Sequence, residues 1–372
     1  MREALAERLL ATVMNWTPED VANERPLLQA MAALKYDEYQ QFAPGIRFVE
    51  SLASWLRQFE TDIERRTAFD FVKSRLVFFS SAEIAHLVTI AYPDHIRPLL
   101  INRAAQTLGV PECLVGKIAN SNEFQYLRRQ CLFLGLSDSA RIDIFRRATN
   151  TELSHEQIWQ TYEMSTEKVN DMLIKLHKDL LPNISPNSEK DIRFEMVFLL
   201  DDFYGSGRSC LRRDDSGKLM EGKIAKFLEQ IGLRSELKAL FSENFYIGIV
   251  LYIATKRALD HINELLPELL KPFPQISCKV HVVNLLDDSV SLDEARDKNF
   301  LDLANSYYDS NVEDDHTRIG GTDLKRGFGG CALPIVLSHN TPNNSMFLLW
   351  ANPDELNVHG LFPRVTRHRS EV

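Results

Sequence analysis

Two adjacent carboxylates, Asp201 and Asp202, follow the apolar run Val197, Phe198, Leu199 and Leu200. They precede Tyr204 and a turn of small and hydroxyl residues, Gly205, Ser206, Gly207 and Ser209, with Arg208 among them. Ionised carboxylates act only as acceptors, so a pair of them suits the vicinal hydroxyls of a sugar. Glycines remove side chains where backbone must approach a ligand. Free N–H groups of the turn, with the Ser206 and Ser209 hydroxyls, suit a phosphate near a helix N-terminus. The combined chemistry is recognition of a phosphorylated sugar, and the plainer alternative is a solvated strand end followed by an ordinary turn.

Such groups need a rigid edge to hold them. The apolar run reads as a strand buried on both faces of a parallel sheet, and the turn is expected to open a helix over residues 218–232. Ligands of such sheets sit at the carboxyl ends of the strands. Further on, strands are expected at 246–253 and 278–286 and helices at 256–270 and 292–308. Two apolar runs, 332–338 and 346–350, then read as two strands around a turn at 341–344. This alternation predicts an α/β fold with a mostly parallel sheet covered on both faces.

The stretch 197–209 resembles the 5-phosphoribosyl-1-pyrophosphate (PRPP) motif of type I phosphoribosyltransferases, with Gly205 standing where that family usually carries a hydroxyl. The chain is more specifically similar to the PRTase-CE group of bacterial conflict and anti-phage systems. That likeness draws on residues 134–143, the Asp-Asp segment, residues 327–330 and residues 338–345. It implies a phosphoribosyltransferase-like sheet, PRPP as ligand, Mg2+ as cofactor and a possible protein partner within a defence system. Asp138, Asp201 and Asp202 are then the candidate carboxylates for Mg2+, Asp138 acting through water.

A phosphoribosyltransferase also needs a loop for pyrophosphate. The run 131–136 leads into Ser137, Asp138, Ser139 and Arg141, which reads as strand, tight turn and helix, and offers hydroxyls, backbone N–H groups and a guanidinium. A helix capped by Asp138 or Ser139 explains the same residues equally well. Lys325 and Arg326, in the glycine-rich segment 320–330, are candidates for a cationic lid over a polyphosphate. A flexible loop that happens to hold two basic residues is the alternative. Asn340, Asn343 and Asn344 offer donors and acceptors for a base or another acceptor.

Residues 1–125 read as an α-helical region, 126–363 as the α/β domain with a helical insertion at 151–182, and 364–372 as a basic tail. A linker is expected at 181–188. The insertion has a weak helix-turn-helix outline, but Glu156, Glu163, Glu167 and Asp171 make it a poor surface for phosphate. A net charge of −9 argues against whole-surface attraction to nucleic acid. No apolar run approaches a membrane span, and a cytoplasmic location is expected. Five cysteines without metal-ligand spacing support neither a disulfide framework nor a zinc site. A module that senses PRPP or a nucleotide without turnover, and an unrelated nucleotide-binding α/β protein, are the competing readings.

Overall fold

Five parallel strands form the sheet that carries the motif: β1 (Cys131–Gly135), β2 (Ile158–Gln160), β3 (Phe194–Tyr204), β4 (Phe241–Thr255) and β5 (Ser277–Leu286). Their spatial order is β2-β1-β3-β4-β5. The computed structural model describes residues 3–181, 192–313, 315–352 and 358–364. Apart from Leu181 and Arg364, the expected linker and basic tail lie outside the described residues.

The sheet belongs to a compact unit formed by Ala85–Asp287; a second unit comprises Met1–Ile84 with Asp288–Val372. These limits differ from the expected boundary at 125 because of how side chains pack. Arg103 lies over the Tyr246 ring of β4, with its guanidinium 4.6 Å from the centroid, so the helix Arg97–Leu108 joins the sheet unit. The N-terminal helices instead share a core with residues 292–362, where Phe71 and Phe300 stack at 3.6 Å and Trp55 is buried. In that second unit Val77–Phe79 pairs in parallel with Ile335–Leu337.

β3 is central and apolar on both faces, as its unbroken hydrophobic run predicts. On one face Phe198 stacks on Phe133 at 5.3 Å. Its register partner is Gly248 of β4, where a Cβ would lie 2.5 Å from the Phe198 ring, so the glycine makes room for the aromatic. On the other face Val197, Leu199, Ile247 and Ile249 meet Val169, Leu176, Ile224 and Ile262. These last four come from the helices Thr166–Leu180, Lys223–Leu233 and Lys256–Leu270. Helices thus cover the sheet and hold its carboxyl edge in place.

Three local expectations are corrected. Residues 151–182 are not a purely helical insertion: Ile158 and Gln160 are buried in edge strand β2, and only Thr166–Leu180 forms an α-helix there. The Gln157 amide donates to the carbonyls of Arg128 and Cys131, tying this edge to β1. The run 346–350 is not a strand, since Phe347–Trp350 forms a helical turn closed by Trp350 Nε1 donating to the Ser345 carbonyl. The helix after the motif starts at Lys223 and not at 218, because a small hairpin pairing Arg212–Arg213 with Met220–Glu221 intervenes. All five cysteines are free thiols. No helix among the described residues is long and apolar enough to cross a membrane.

Candidate functional site

The strand order places β1 and β3 side by side with their outgoing connections diverging, the point at which open parallel sheets form a ligand crevice. The Leu136 N–H donates to the Leu200 carbonyl at 2.9 Å, extending the ladder to the next residue of each chain, Ser137 and Asp201. There the Ser137 hydroxyl donates to Asp201 Oδ1 and lies 2.9 Å from the Ser139 hydroxyl. Asp201 Oδ2 accepts from the Tyr204 hydroxyl at 2.5 Å and from Lys223 Nζ at 2.5 Å.

Asp201 is therefore a buried carboxylate with three donors around it. Burial raises its pKa, the Lys223 charge opposes that rise, and neighbouring Asp202 adds to it. Burial also pushes the Tyr204 phenol well above its ordinary value, so it stays a neutral donor. A buried charge is tolerated when paired and fully hydrogen-bonded, and removing one partner is then severe. Asp202, one residue on, is half-buried.

The turn after β3 is held from beneath. Thr255 Oγ1, at the end of β4, donates to the Gly205 carbonyl at 2.6 Å. Gly207 has φ +75°, and a Cβ there would lie 2.8 Å from the Ala258 carbonyl, so this turn requires glycine. Gly205, Ser206 and Gly207 are buried, Arg208 is half-buried and Ser209 is exposed. The Ser206 hydroxyl accepts from the Arg208 N–H at 3.4 Å. Where the helix finally begins, the Lys223 and Ile224 N–H groups are already bonded to the Ser209 and Cys210 carbonyls at 3.1 and 3.2 Å. An anion at this turn would therefore be met by the loop itself and by Lys223 more than by those two helix N–H groups.

The loop after β1 holds Asp138–Ala140 in a 3-10 turn, followed by the helix Ile142–Ala148. Arg141 occupies the cap position, so neither Asp138 nor Ser139 caps this helix. It does so with φ 49°, an uncommon conformation for a residue with a side chain and one that clusters at functional sites. The Ala140 carbonyl accepts from the Tyr252 hydroxyl at 2.9 Å, which pins the turn. The Arg141 Nε is buried without a hydrogen-bond partner. Asp138 is exposed, and its Oδ1 accepts from the Tyr162 hydroxyl at 2.8 Å.

The remaining candidates belong to the other unit. Lys325 lies 4.0 Å from Asp323 and over the Tyr308 ring, and Arg326 pairs with Glu294. Between them and the Asn-rich turn the chain is closely packed: a Cβ at Gly327 would lie 2.4 Å from the Asn344 and Ser345 carbonyls. The Asn344 amide donates to the Phe328 carbonyl at 2.9 Å, the Asn343 carbonyl accepts from the Phe328 N–H at 2.7 Å, and Asn340 Oδ1 accepts from the Thr341 N–H at 3.0 Å. Asn344 is thus turned to internal packing.

Lys223 is the site residue that sequence reasoning missed. A lysine in the first turn of a helix opposes the helix dipole, so its place at the start of an amphipathic helix is a signal that it serves another partner. Among the described residues no group of three or more His, Cys, Asp or Glu side chains forms a metal cage. A model of the PRTase-CE family matches residues 52–364, covering much of both units. No curated protein and no solved structure matches the chain.

Proposed function

The chain belongs to the PRTase-CE family, and on that footing we propose that it is an enzyme that binds PRPP and moves its phosphoribosyl group to an acceptor. The observation that carries this reading is the Asp201 network. A carboxylate buried near the end of β3 is bonded to Ser137 in the loop after β1 and anchored by Lys223. Such a network fixes the positions of the two loops it joins, which is what a reaction limited by positioning and charge stabilisation needs.

In this reading Asp201 positions and Asp202 binds. Asp202 accepts from the ribose hydroxyls, while the Gly205–Ser209 backbone and the Ser206 and Ser209 hydroxyls take the 5′-phosphate. Arg141, whose Nε has no partner, takes the pyrophosphate. The bond from ribose C1 to the pyrophosphate oxygen breaks, its electron pair leaving with pyrophosphate, and a lone pair of the acceptor forms the new bond. Mg2+ fits only in part: Asp201 already accepts from Ser137, Tyr204 and Lys223, and Asp138 and Asp202 are the carboxylates that would hold a hydrated ion. That ion would neutralise charge on the leaving group.

A role as an effector in bacterial anti-phage defence is part of the proposal and rests on the family resemblance. The competing reading, a PRPP sensor without turnover, uses the same binding groups and predicts no release of pyrophosphate. To separate the two, purified protein is incubated with PRPP, Mg2+ and a panel of bases and cell extract, and released pyrophosphate is quantified. Release that disappears in Arg141→Ala supports the enzyme, whereas PRPP binding without release under every condition removes it.

A further inference from the structure

We propose that a groove beside the helix Lys223–Leu233 is a second ligand site, built for a small organic anion with a flat apolar body. The groove has a volume of about 370 Å³, within the range of small-molecule sites. None of the residues of the Gly205–Ser209 turn lines it, but it shares with the phosphoribosyl site Lys223, which anchors Asp201, and Tyr162, which donates to Asp138.

Its apolar lining comes from Leu134 and Leu136 at the end of β1, and from Phe227 and Ile231 on the helix. Lys223, Lys226, Phe227, Gln230 and Ile231 recur at helical spacing, so one helix face supplies both apolar surface and charge, and Arg234 follows directly after the helix. The charge is all of one sign. Every charged residue lining the groove is a cation, although the whole chain carries a net charge of −9. Lys223 pairs with Asp201, and Arg234 pairs with Glu236 at 3.1 Å. Lys226 is exposed and has no carboxylate partner among the described residues.

That combination selects an anion for Lys226 and a flat hydrophobic body for the apolar surface beside it. The exposed Gln230 amide adds donors and an acceptor to orient it. Lys223 lines the groove while its ammonium holds Asp201, so an occupant meets the buried network at one atom, Nζ.

Anilinonaphthalene sulfonate, an aromatic anion that fluoresces when desolvated, tests this directly, with uncharged phenylnaphthylamine as its partner probe. Both are titrated against the full chain and against two variants at exposed groove positions, Lys226→Glu and Gln230→Trp. The groove predicts saturable binding of the sulfonate, weakened roughly tenfold by Lys226→Glu and abolished by Gln230→Trp, and weaker binding of the uncharged probe. Asp202→Asn, which weakens PRPP binding in the phosphoribosyl reading, leaves the sulfonate affinity unchanged, so the two readings fail separately. Unchanged sulfonate affinity in both groove variants, equal affinity for the uncharged probe, or no saturable binding by the unaltered chain overturns the proposal.

Discussion

Lys223 Nζ donates to Asp201 Oδ2 at 2.5 Å, joining the first residue of a helix to the end of the central strand across 22 positions of sequence. The helix start, the turn after β3 and the loop after β1 are thereby tied to one carboxylate. Damage to this contact is expected to reach all three.

Lys223→Met leaves a buried carboxylate without its cation. Breaking a buried pair destabilises by about 3–5 kcal/mol, and the partial exposure of Lys223 places the expected loss at or below about 3 kcal/mol near neutral pH. Pairing the change with Asp201→Asn should recover much of that loss. Urea denaturation of both single variants and the double variant measures this, and additive effects would show that the two groups do not interact.

The Asp201 carboxyl is raised first by burial, with Lys223 opposing and Asp202 adding. A folded-state pKa above the unfolded value means that the folded chain binds the proton more tightly. The stability linked to this group is then complete below about pH 4 and is lost as pH rises through the folded-state value. The stability difference between the unaltered chain and Asp201→Asn should therefore shrink on going from about pH 4 towards neutrality. A difference that grows with pH would mean that Lys223 outweighs burial.

How much of this was open to sequence reasoning depends on the range of each signal. The four apolar residues of β3, the acid pair and the Gly-Ser turn are close in sequence, so the buried strand and the acid pair near its carboxyl end could be read directly. Edge strand β2 has three residues, too few to show a period of two, so its segment reads as helix in the sequence. Phe347–Trp350 is another short apolar run for which periodicity cannot separate strand from helix. Lys223 escaped because its partner is brought near only by the return of the Arg212–Arg213 hairpin. That return depends on Gly222, with φ +112° and no room for a Cβ against the Cys210 carbonyl.

Arg141 separates stability from ligand binding. Its φ of 49° strains a residue with a side chain by roughly 1 kcal/mol, so Arg141→Gly is expected to leave stability unchanged or slightly raised. Affinity for inorganic pyrophosphate should nevertheless fall roughly tenfold or more with loss of the guanidinium. Thermal unfolding and calorimetric titration on the same samples check both halves. A fall in stability together with unchanged affinity would assign Arg141 to the fold alone.

Gly207→Ala forces a Cβ to within 2.8 Å of the Ala258 carbonyl in a left-handed turn. A loss of about 2–4 kcal/mol is expected from strain and overlap together. The neighbouring Ser209→Ala change, at an exposed position, should leave stability nearly unaltered while weakening phosphate binding. Equal stability of the glycine variant and the unaltered chain would show that the turn relaxes freely.

Calorimetric titration of PRPP with Mg2+ into the unaltered chain and into Asp202→Asn tests the central claim most directly. The account predicts saturable binding that falls at least about tenfold in the variant, since one charge-assisted acceptor of the ribose hydroxyls has been removed. Equal affinity in the two proteins, or no binding of PRPP to the unaltered chain, would contradict it.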